Sequence, residues 1–227
     1  MSVALLLQLA DGRFPAGGHA HSNGTEAACA IGDVIDTSSL AEYVRGRLAT
    51  SGRVDASFAA WACAAALRRA DVSEWSDADA ELAARTLSPS LRKASRTLGR
   101  QMMRAGERVW PSSAYADVRA ASPTGAWQPV ALGVVAAAAA LSTTDAAICA
   151  LHHALTGITS AGVRLLGLDP FDVARVNASC APQITAIAHE AAALAEGPVA
   201  ALPADVGLLL DVLAEDHARW DVRLFSS

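Results

Sequence analysis

Apolar side chains recur at helical spacing along nearly the whole chain, and strand-like alternation never lasts longer than a few residues. Leu40, Tyr43, Val44 and Leu48, for example, fall on one face of a helix. Hydrophobic residues make up 52% of the chain but aromatic residues only 5%, so alanine must supply much of the core. Alanine favours helices and is a poor strand former. The pattern therefore predicts an all-α protein.

Helix start and stop signals divide the chain into a bundle that we expect to contain eight to ten helices. Ser88-Pro89 opens one helix, because proline is tolerated at the first helical position. Asn23 with Glu26, and Ser39 with Glu42, have the spacing of a helix cap and its third residue, and Gly32 is typical of a helix end. The other predicted helices cover residues 1–10, 55–70, 77–87, 129–141, 144–168 and 204–220, with a helix from Pro170 interrupted at Pro182.

One region departs from the helical pattern. Residues 111–128 are rich in Ser, Pro and Gly and form a candidate flexible segment. The segment is too short to establish two domains, and 227 residues suffice for one sizeable core. We expect residues 1–227 to form a single all-helical domain.

Composition argues against several classes of protein. The formal net charge of -5 disfavours a general nucleic-acid binder, whose affinity depends on cationic contacts to phosphate. Residues 130–141 are apolar but shorter than the ~20 residues of a membrane span. No basic flank or cleavage site accompanies the apolar residues 3–9, which indicates a cytoplasmic protein. Reduced thiols are then expected at the four widely spaced cysteines, Cys29, Cys63, Cys149 and Cys180.

Motifs of familiar catalytic and metal sites are missing from the sequence. A nucleotide-binding P-loop needs a lysine that reaches the phosphates, and the only lysine, Lys93, lies in no such motif. Imidazole suits nickel, yet the two histidine clusters, His19 with His21 and His152 with His153, each lack a third ligand. We predict no catalytic residue, no metal site and no tightly bound cofactor.

Five arginines recur every four residues on one predicted helix, so they form a row that drifts slowly around it. They are Arg92, Arg96, Arg100, Arg104 and Arg108. The simplest interpretation is solvated surface with some pairing to the acidic residues 71–81, and the sharper one is a docking face for an acidic partner. A rival interpretation is an all-helical dimeric nucleic-acid-binding regulator, against which the net charge counts.

The N-terminal segment carries the most distinctive sequence. A helix runs into a turn rich in Pro and Gly, and a His-Ser pair follows. The segment resembles the opening of the UreF family of urease accessory proteins, with His19 in place of a usual aromatic residue. The matching residues are Leu7, Gln8, Leu9, Asp11, Phe14, Pro15, Gly17, His21, Ser22, Gly24 and Glu26.

Four later regions resemble the same family in the same order. Residues 94–100 are similar to its central helix, and residues 162–165 to its Ala-x-Arg-Leu segment. Residues 128–133 resemble a His-Pro-x-x-x-Gly block, with Gln128 in the place of the histidine. Residues 217–227 resemble the family ending, His-x(4–5)-Arg-Leu-Phe-x-Ser.

The resemblance implies a helical homodimer that is not an enzyme. It would bind a UreD/UreH-type accessory protein, recruit and regulate a UreG-type nickel GTPase at apo-urease, and let nickel pass through the complex in transit. We expect the UreD/UreH-type protein to bind the tail, because its apolar pair lies beyond the last helix. The tail residues are Arg223, Leu224, Phe225, Ser226 and Ser227. The expected contacts on the GTPase or urease side are Asp11, Arg13, Phe14, Gly17, His21, Ser22, Glu26, Arg96 and Arg100.

Overall fold

A computed structural model describes residues 2–205 and 207–226, and within these ranges it contains helices and no strand. The α-helices are α1 Val3–Ala10, α2 Thr25–Ala30, α3 Thr37–Arg47, α4 Arg53–Arg68, α5 Val72–Arg85, α6 Pro89–Val109, α7 Ala114–Ala121, α8 Gln128–Ala138, α9 Thr143–Leu166, α10 Pro170–Ser179, α11 Ala181–Leu194 and α12 Leu208–His217. A π-helical turn, Leu48–Gly52, joins α3 to α4, and 3₁₀ turns lie at Gly18–Ala20 and Val199–Ala201. The all-α prediction is confirmed, but the helices outnumber the eight to ten expected.

The centre of the bundle consists of α4, α8 and α9. Nearly every residue of α4 after its first turn is buried, including Phe58 and Trp61. Gly133 of α8 lies so close to α4 that a Cβ there would stand 2.3 Å from the carbonyl oxygen of Ala59. A larger residue would push the two helices apart, because protein interiors have little spare volume. Small residues thus permit the close packing that holds the core.

Proline signals placed several helix boundaries correctly. Ser88 caps α6 by accepting a hydrogen bond from the Leu91 N–H, and Pro89 is its first residue. A new helix starts at Pro170, and the chain breaks before Pro182, between α10 and α11. Proline ends or begins helices because it lacks an N–H and fixes φ.

Two capping predictions were wrong. Asp36, and not Ser39, caps α3, and its side chain accepts a hydrogen bond from the Ser39 N–H at 2.8 Å. An acidic side chain three residues earlier competes successfully for this role. Gly24 is the N-cap of α2, whereas Asn23 adopts a left-handed conformation with φ of 53°. The cap spacing was misread because asparagine also tolerates that conformation.

Other observed helix boundaries also differ from the predicted ones. α5 begins at Val72 and not at residue 77, because Asp71 and Glu74 form a capping box. The last helix begins at Leu208, four residues later than expected, and ends at His217. Met1, in the first predicted helix, and Val206, in the last, lie outside the described residues.

Residues 111–128 contain α7 and pack against the rest of the bundle. Tyr115, Val118 and Trp127 are buried, and the Trp127 Nε1–H donates a hydrogen bond to the carbonyl oxygen of Asp79. The Ser, Pro and Gly content of the segment reflects its turns. A short helix between such turns gives little sequence signal.

One helix among the described residues, α9, is long and apolar enough to cross a membrane by length and composition. Just over half of its most apolar window is buried inside the protein. Core helices meet the same criteria, so the helix is weak evidence for a membrane span.

Candidate functional site

A cavity of about 540 Å³ lies where the N-terminal turn, the π-helical turn, α9 and the C-terminal tail meet. Clefts of this size with a few convergent polar groups are typical of binding sites. Its lining brings together polar and aromatic side chains from segments far apart in sequence: Asp11, Phe14, His19 and His21; Arg47 and Asp55; His152, His153 and Arg164; and Phe225.

The N-terminal turn is held by its own contacts. The Asp11 carboxylate accepts hydrogen bonds from the Arg13 backbone N–H at 2.9 Å and from its Nε–H at 3.0 Å, and these bonds lower the pKa of Asp11 to about 2. Phe14 stacks on Trp110 with ring centroids 5.9 Å apart. Gly17 has φ of 79°, and a Cβ there would lie 1.8 Å from Gln101 Oε1. The turn is therefore a preformed rim of the cavity.

Asp55 is the most unusual residue of the cavity wall. No hydrogen bond from the described residues reaches its carboxylate, and burial raises its pKa to about 6, an effect that the Arg47 guanidinium only partly offsets. The Nε of Arg47 is itself buried and without a hydrogen-bond partner in the described structure. Both residues flank the π-helical turn, a local feature frequent at functional sites. Perturbed and unsatisfied groups in a cleft indicate function rather than stability.

Three histidines of the cavity wall, His21, His152 and His153, have pKa values below that of a free imidazole. Burial lowers the pKa of His153 to about 4, although the hydrogen bond from its Nε2–H to the carbonyl oxygen of Leu9, at 3.0 Å, acts in the opposite direction. Burial also lowers the pKa of His152 and, together with the charge of His19, that of His21. In residues 2–205 and 207–226, no three His, Cys, Asp or Glu side chains are grouped closely enough to hold one metal ion. The imidazoles thus supply hydrogen-bonding groups to the wall.

Glu26 joins the two ends of the chain. Its carboxylate accepts hydrogen bonds from the backbone N–H of Leu224 at 2.7 Å and of Phe225 at 3.0 Å, and it lies 2.8 Å from His217 Nε2. Ser226 adds a bond from its N–H to the carbonyl oxygen of Ala20. Burial raises the pKa of Glu26, but the bonds from Leu224, His217 and Phe225 outweigh it and leave the pKa below its usual value.

The tail is only partly uncovered. Phe225 is 6% exposed, and the Arg164 guanidinium lies 5.4 Å from its ring centroid, whereas Leu224 is 65% exposed. We expected both apolar residues to await a partner. Phe225 instead packs on the protein itself, because Glu26 draws the tail backbone inward. Arg223 and Ser226 are exposed, and Ser227 lies outside the described residues.

The arginine row of α6 divides into inward and outward members. Arg96 binds both carboxylate oxygens of Asp79, at 2.8 and 2.9 Å, and lies over the Trp127 ring. Arg92 donates to the carbonyl oxygen of Thr86. The remaining members, Arg100, Arg104 and Arg108, are exposed.

This division bears on the expectation that Arg96 contacts a partner, which stays a prediction. Its guanidinium is committed to α5 and to the carbonyl oxygen of Gly125, so it holds the fold together. The nucleic-acid interpretation also loses two of the five cations on which it depended. Arg100 donates a hydrogen bond to Thr124 yet stays largely in solvent.

Comparison with known proteins agrees with the family resemblance of the sequence. The UreF family model matches residues 34–181, about two thirds of the chain. The chain belongs to the UreF family. It is 40% identical to the urease accessory protein UreF of Mycolicibacterium vanbaalenii, over 100% of this chain and 99% of that protein. The UreF proteins of Mycobacterium marinum and Mycobacterium tuberculosis are 38% and 37% identical, and the alignments cover 100% and 95% of this chain and 99% and 94% of theirs.

Three residues of this candidate site were not singled out by the sequence analysis. In the sequence, Arg47 and Asp55 are ordinary charged residues near helix ends, because an acidic residue in the first turn of a helix is common. His217 did carry a signal, because it opens the segment that resembles the ending of the UreF family. Its partner Glu26 is 191 residues away, so only the fold reveals the pair.

Proposed function

We propose that this UreF-family protein acts in urease maturation as a non-catalytic scaffold in the cytoplasm. It would join a UreD/UreH-type protein and a UreG-type nickel GTPase to apo-urease. The observation that carries the proposal is the contact of Glu26, in the family-like opening, with the backbone of the family-like tail. The two most distinctive segments of the chain thus form one continuous surface.

Regulation of the GTPase would follow from binding alone. A scaffold shifts the equilibrium between two states of its partner only by the difference in its affinity for them. The chain would therefore favour one nucleotide state of the GTPase, while the nucleotide chemistry stays with that partner. Nickel would pass through the assembled complex in transit, as substrate of the maturation reaction.

The tail is the proposed contact for the UreD/UreH-type protein. Phe225 anchors it to the bundle, and Leu224, at 65% exposed, presents an apolar side chain to solvent between Arg223 and Ser226. Exposed apolar residues held on a fixed backbone can bind without a large loss of conformational entropy. Leu224 would then be the apolar centre of this interface.

A Leu224→Ala variant tests this contact, because it removes an exposed side chain and leaves the anchor intact. The matched control is Ile35→Ala, since Ile35 is 66% exposed and precedes α3. We expect Leu224→Ala to weaken binding of the purified UreD/UreH-type protein about tenfold or more and to reduce urease activation. Calorimetric affinities equal to those of the control would contradict the proposal.

The exposed end of the α6 row is the proposed contact for an acidic surface on the GTPase or urease side. Arg104→Glu should slow association and reduce its salt dependence, because charges at the edge of an interface act mainly on the on-rate. Arg175→Glu on exposed α10 serves as the control. Stopped-flow rates that change equally for both variants would mean that only net charge matters.

We also propose that the free chain is a homodimer. Many large apolar side chains remain exposed, among them Leu208, Leu209 and Val212 of α12 at 56–65%. Obligate homodimers commonly cover surfaces of this kind. Sedimentation equilibrium across the micromolar range should give about twice the mass of 23.3 kDa, and a monomer throughout would contradict this.

A further inference from the structure

A second cleft, of about 360 Å³, lies between α6 and the loop that follows α7. Arg100, Arg104 and Glu107 of α6 line one wall, and Arg119 of α7 and residues 122–126 line the other. It shares no lining residue with the cavity at the N-terminal turn. No further acidic side chain lines it in the part of the chain that the structure describes. Three guanidinium groups against one carboxylate therefore leave two positive charges unbalanced in a concave site.

The loop wall of this cleft is held by hydrogen bonds to α5 and α6. The Ser122 hydroxyl donates to the Asp79 carboxylate at 2.6 Å, and the Arg96 guanidinium donates to the carbonyl oxygen of Gly125 at 2.6 Å. Gly125 has φ of 108°, and a Cβ there would lie 2.7 Å from the side chain of Arg100. Glycine is required at such a position. The wall is thus in place before a ligand binds, which lowers the entropic cost of binding.

The three arginines of the cleft differ in their existing partners. Arg100 donates to the carbonyl oxygen of Thr124 at 2.7 Å, and Arg119 pairs with Glu107. Arg104 is exposed and makes no hydrogen bond or ion pair with the described residues. A guanidinium carries five N–H donors, so the two partnered arginines also retain unused donors. The cleft therefore presents several cationic donors to a ligand.

We propose that this cleft binds a phosphate group, as inorganic phosphate or as a small phosphate ester. A phosphate dianion would balance both unmatched charges, whereas a single carboxylate would balance only one. Guanidinium groups also match phosphate oxygens with pairs of parallel hydrogen bonds. The volume of about 360 Å³ lies within the range of small-molecule sites. The inference concerns the isolated chain and goes beyond the proposed function.

Isothermal titration calorimetry of the isolated chain with inorganic phosphate, at about pH 8 and constant ionic strength, tests the site. Arg104→Gln removes the unpartnered guanidinium and should weaken phosphate binding about tenfold. The matched control is Arg108→Gln, because Arg108 is exposed one turn further along α6 and does not line the cleft. Both variants change the net charge equally, yet the control should bind phosphate as wild type does.

Arg119→Gln tests the opposite wall. It removes a guanidinium and leaves the Glu107 carboxylate without its partner, so it should weaken phosphate binding by about tenfold or more. Nuclear magnetic resonance locates the bound phosphate. The backbone amide signals of Gly125 and Ala126 should shift during the titration, whereas that of Gly157, in the other cavity, should not.

Two further ligands identify the source of the group. Phenyl phosphate that binds more tightly than inorganic phosphate would assign the cleft to a phosphate ester, with Met103 and Pro123 beside the organic part. Equal affinities would assign it to inorganic phosphate. Acetate that binds as tightly as phosphate would overturn the proposal and assign the cleft to an acidic side chain of a protein.

Two other results would overturn the phosphate site. One is the absence of measurable phosphate binding to wild type. The other is an equal loss in Arg104→Gln and Arg108→Gln, because net charge alone would then explain the binding. Arg104 is also the proposed contact for an acidic partner. Since phosphate binding is measured on the isolated chain, either proposal can fail without the other.

Discussion

Two acidic residues of this protein, one buried and one half-buried, have opposite surroundings. Glu26 receives three hydrogen-bond donors, and its pKa lies below the usual value. Asp55 receives none from the described residues, and its pKa is raised to about 6. Both border the region where the N-terminal turn, α9 and the tail meet. One carboxylate therefore stabilises the fold by being charged, and the other destabilises it.

The difference between these two carboxylates indicates which one serves the stability of the fold and which one serves function. A carboxylate that accepts several hydrogen bonds adds stability at neutral pH. A buried carboxylate without such bonds lowers stability, and folds retain such groups mainly where a site requires them. Asp55 with Arg47 is thus the stronger candidate for a ligand or partner contact, and Glu26 is a structural anchor.

The largest effect should come from Glu26→Gln. The variant leaves buried donors unpaired, including the backbone N–H of Phe225, and should lower the free energy of unfolding by about 3 kcal/mol at pH 7.5. Chemical denaturation followed by circular dichroism measures the change. A loss below about 0.5 kcal/mol would remove the contrast with Asp55.

Asp55→Asn should act in the opposite direction. It removes a charge that is penalised by burial and should raise the free energy of unfolding by about 2 kcal/mol at pH 7.5. The same denaturation experiment applies, with Asp33→Asn in the exposed turn after α2 as the control. Destabilisation by Asp55→Asn would show that its carboxylate has a stabilising partner after all.

The pH dependence of these two differences should sharpen the comparison. Above pH 6 Asp55 is charged and penalised, so the gain of Asp55→Asn is full there and disappears as pH falls towards 4. The deficit of Glu26→Gln is full above about pH 4.5 and shrinks only as pH falls below that value. Between pH 4.5 and 6 the two curves should therefore separate.

Each site also faces other ionisable groups. His217 and Cys29 face Glu26, and Arg47 faces Asp55. His153, with its pKa of about 4, destabilises wild type and variants alike on acidification and cancels in the differences. Unfolding curves at half-unit pH intervals would reveal two parallel profiles if the comparison were wrong.

The smallest effect should come from Leu224→Ala. Its side chain is largely in solvent, so the free energy of unfolding should change by less than about 0.5 kcal/mol. Thermal unfolding beside the Ile35→Ala control checks this. A larger loss would mean that the tail side chains, and not the contact of its backbone with Glu26, fasten the C-terminus.

The sequence predicts those features of this molecule that depend on local chemistry. The all-α class and the boundaries at Ser88-Pro89, Pro170 and Pro182 follow from propensity and from the missing proline N–H. The burial of Phe225 depends on an acceptor 199 residues away, and the pKa of Asp55 on its desolvation beside Arg47. Tertiary relations of this kind leave no periodic signal in one sequence.

The π-helical turn at Leu48–Gly52 makes chain length critical in the middle of a helical stretch. It amounts to one inserted residue between α3 and α4. Loss of any one residue there would restore regular hydrogen bonding from Thr37 to Arg68, yet it would rotate α3 by about 100° relative to α4. Leu40 and Val44, both fully buried, would turn out of the core. Deletions should therefore be rarer in this turn than its polar, partly exposed residues suggest.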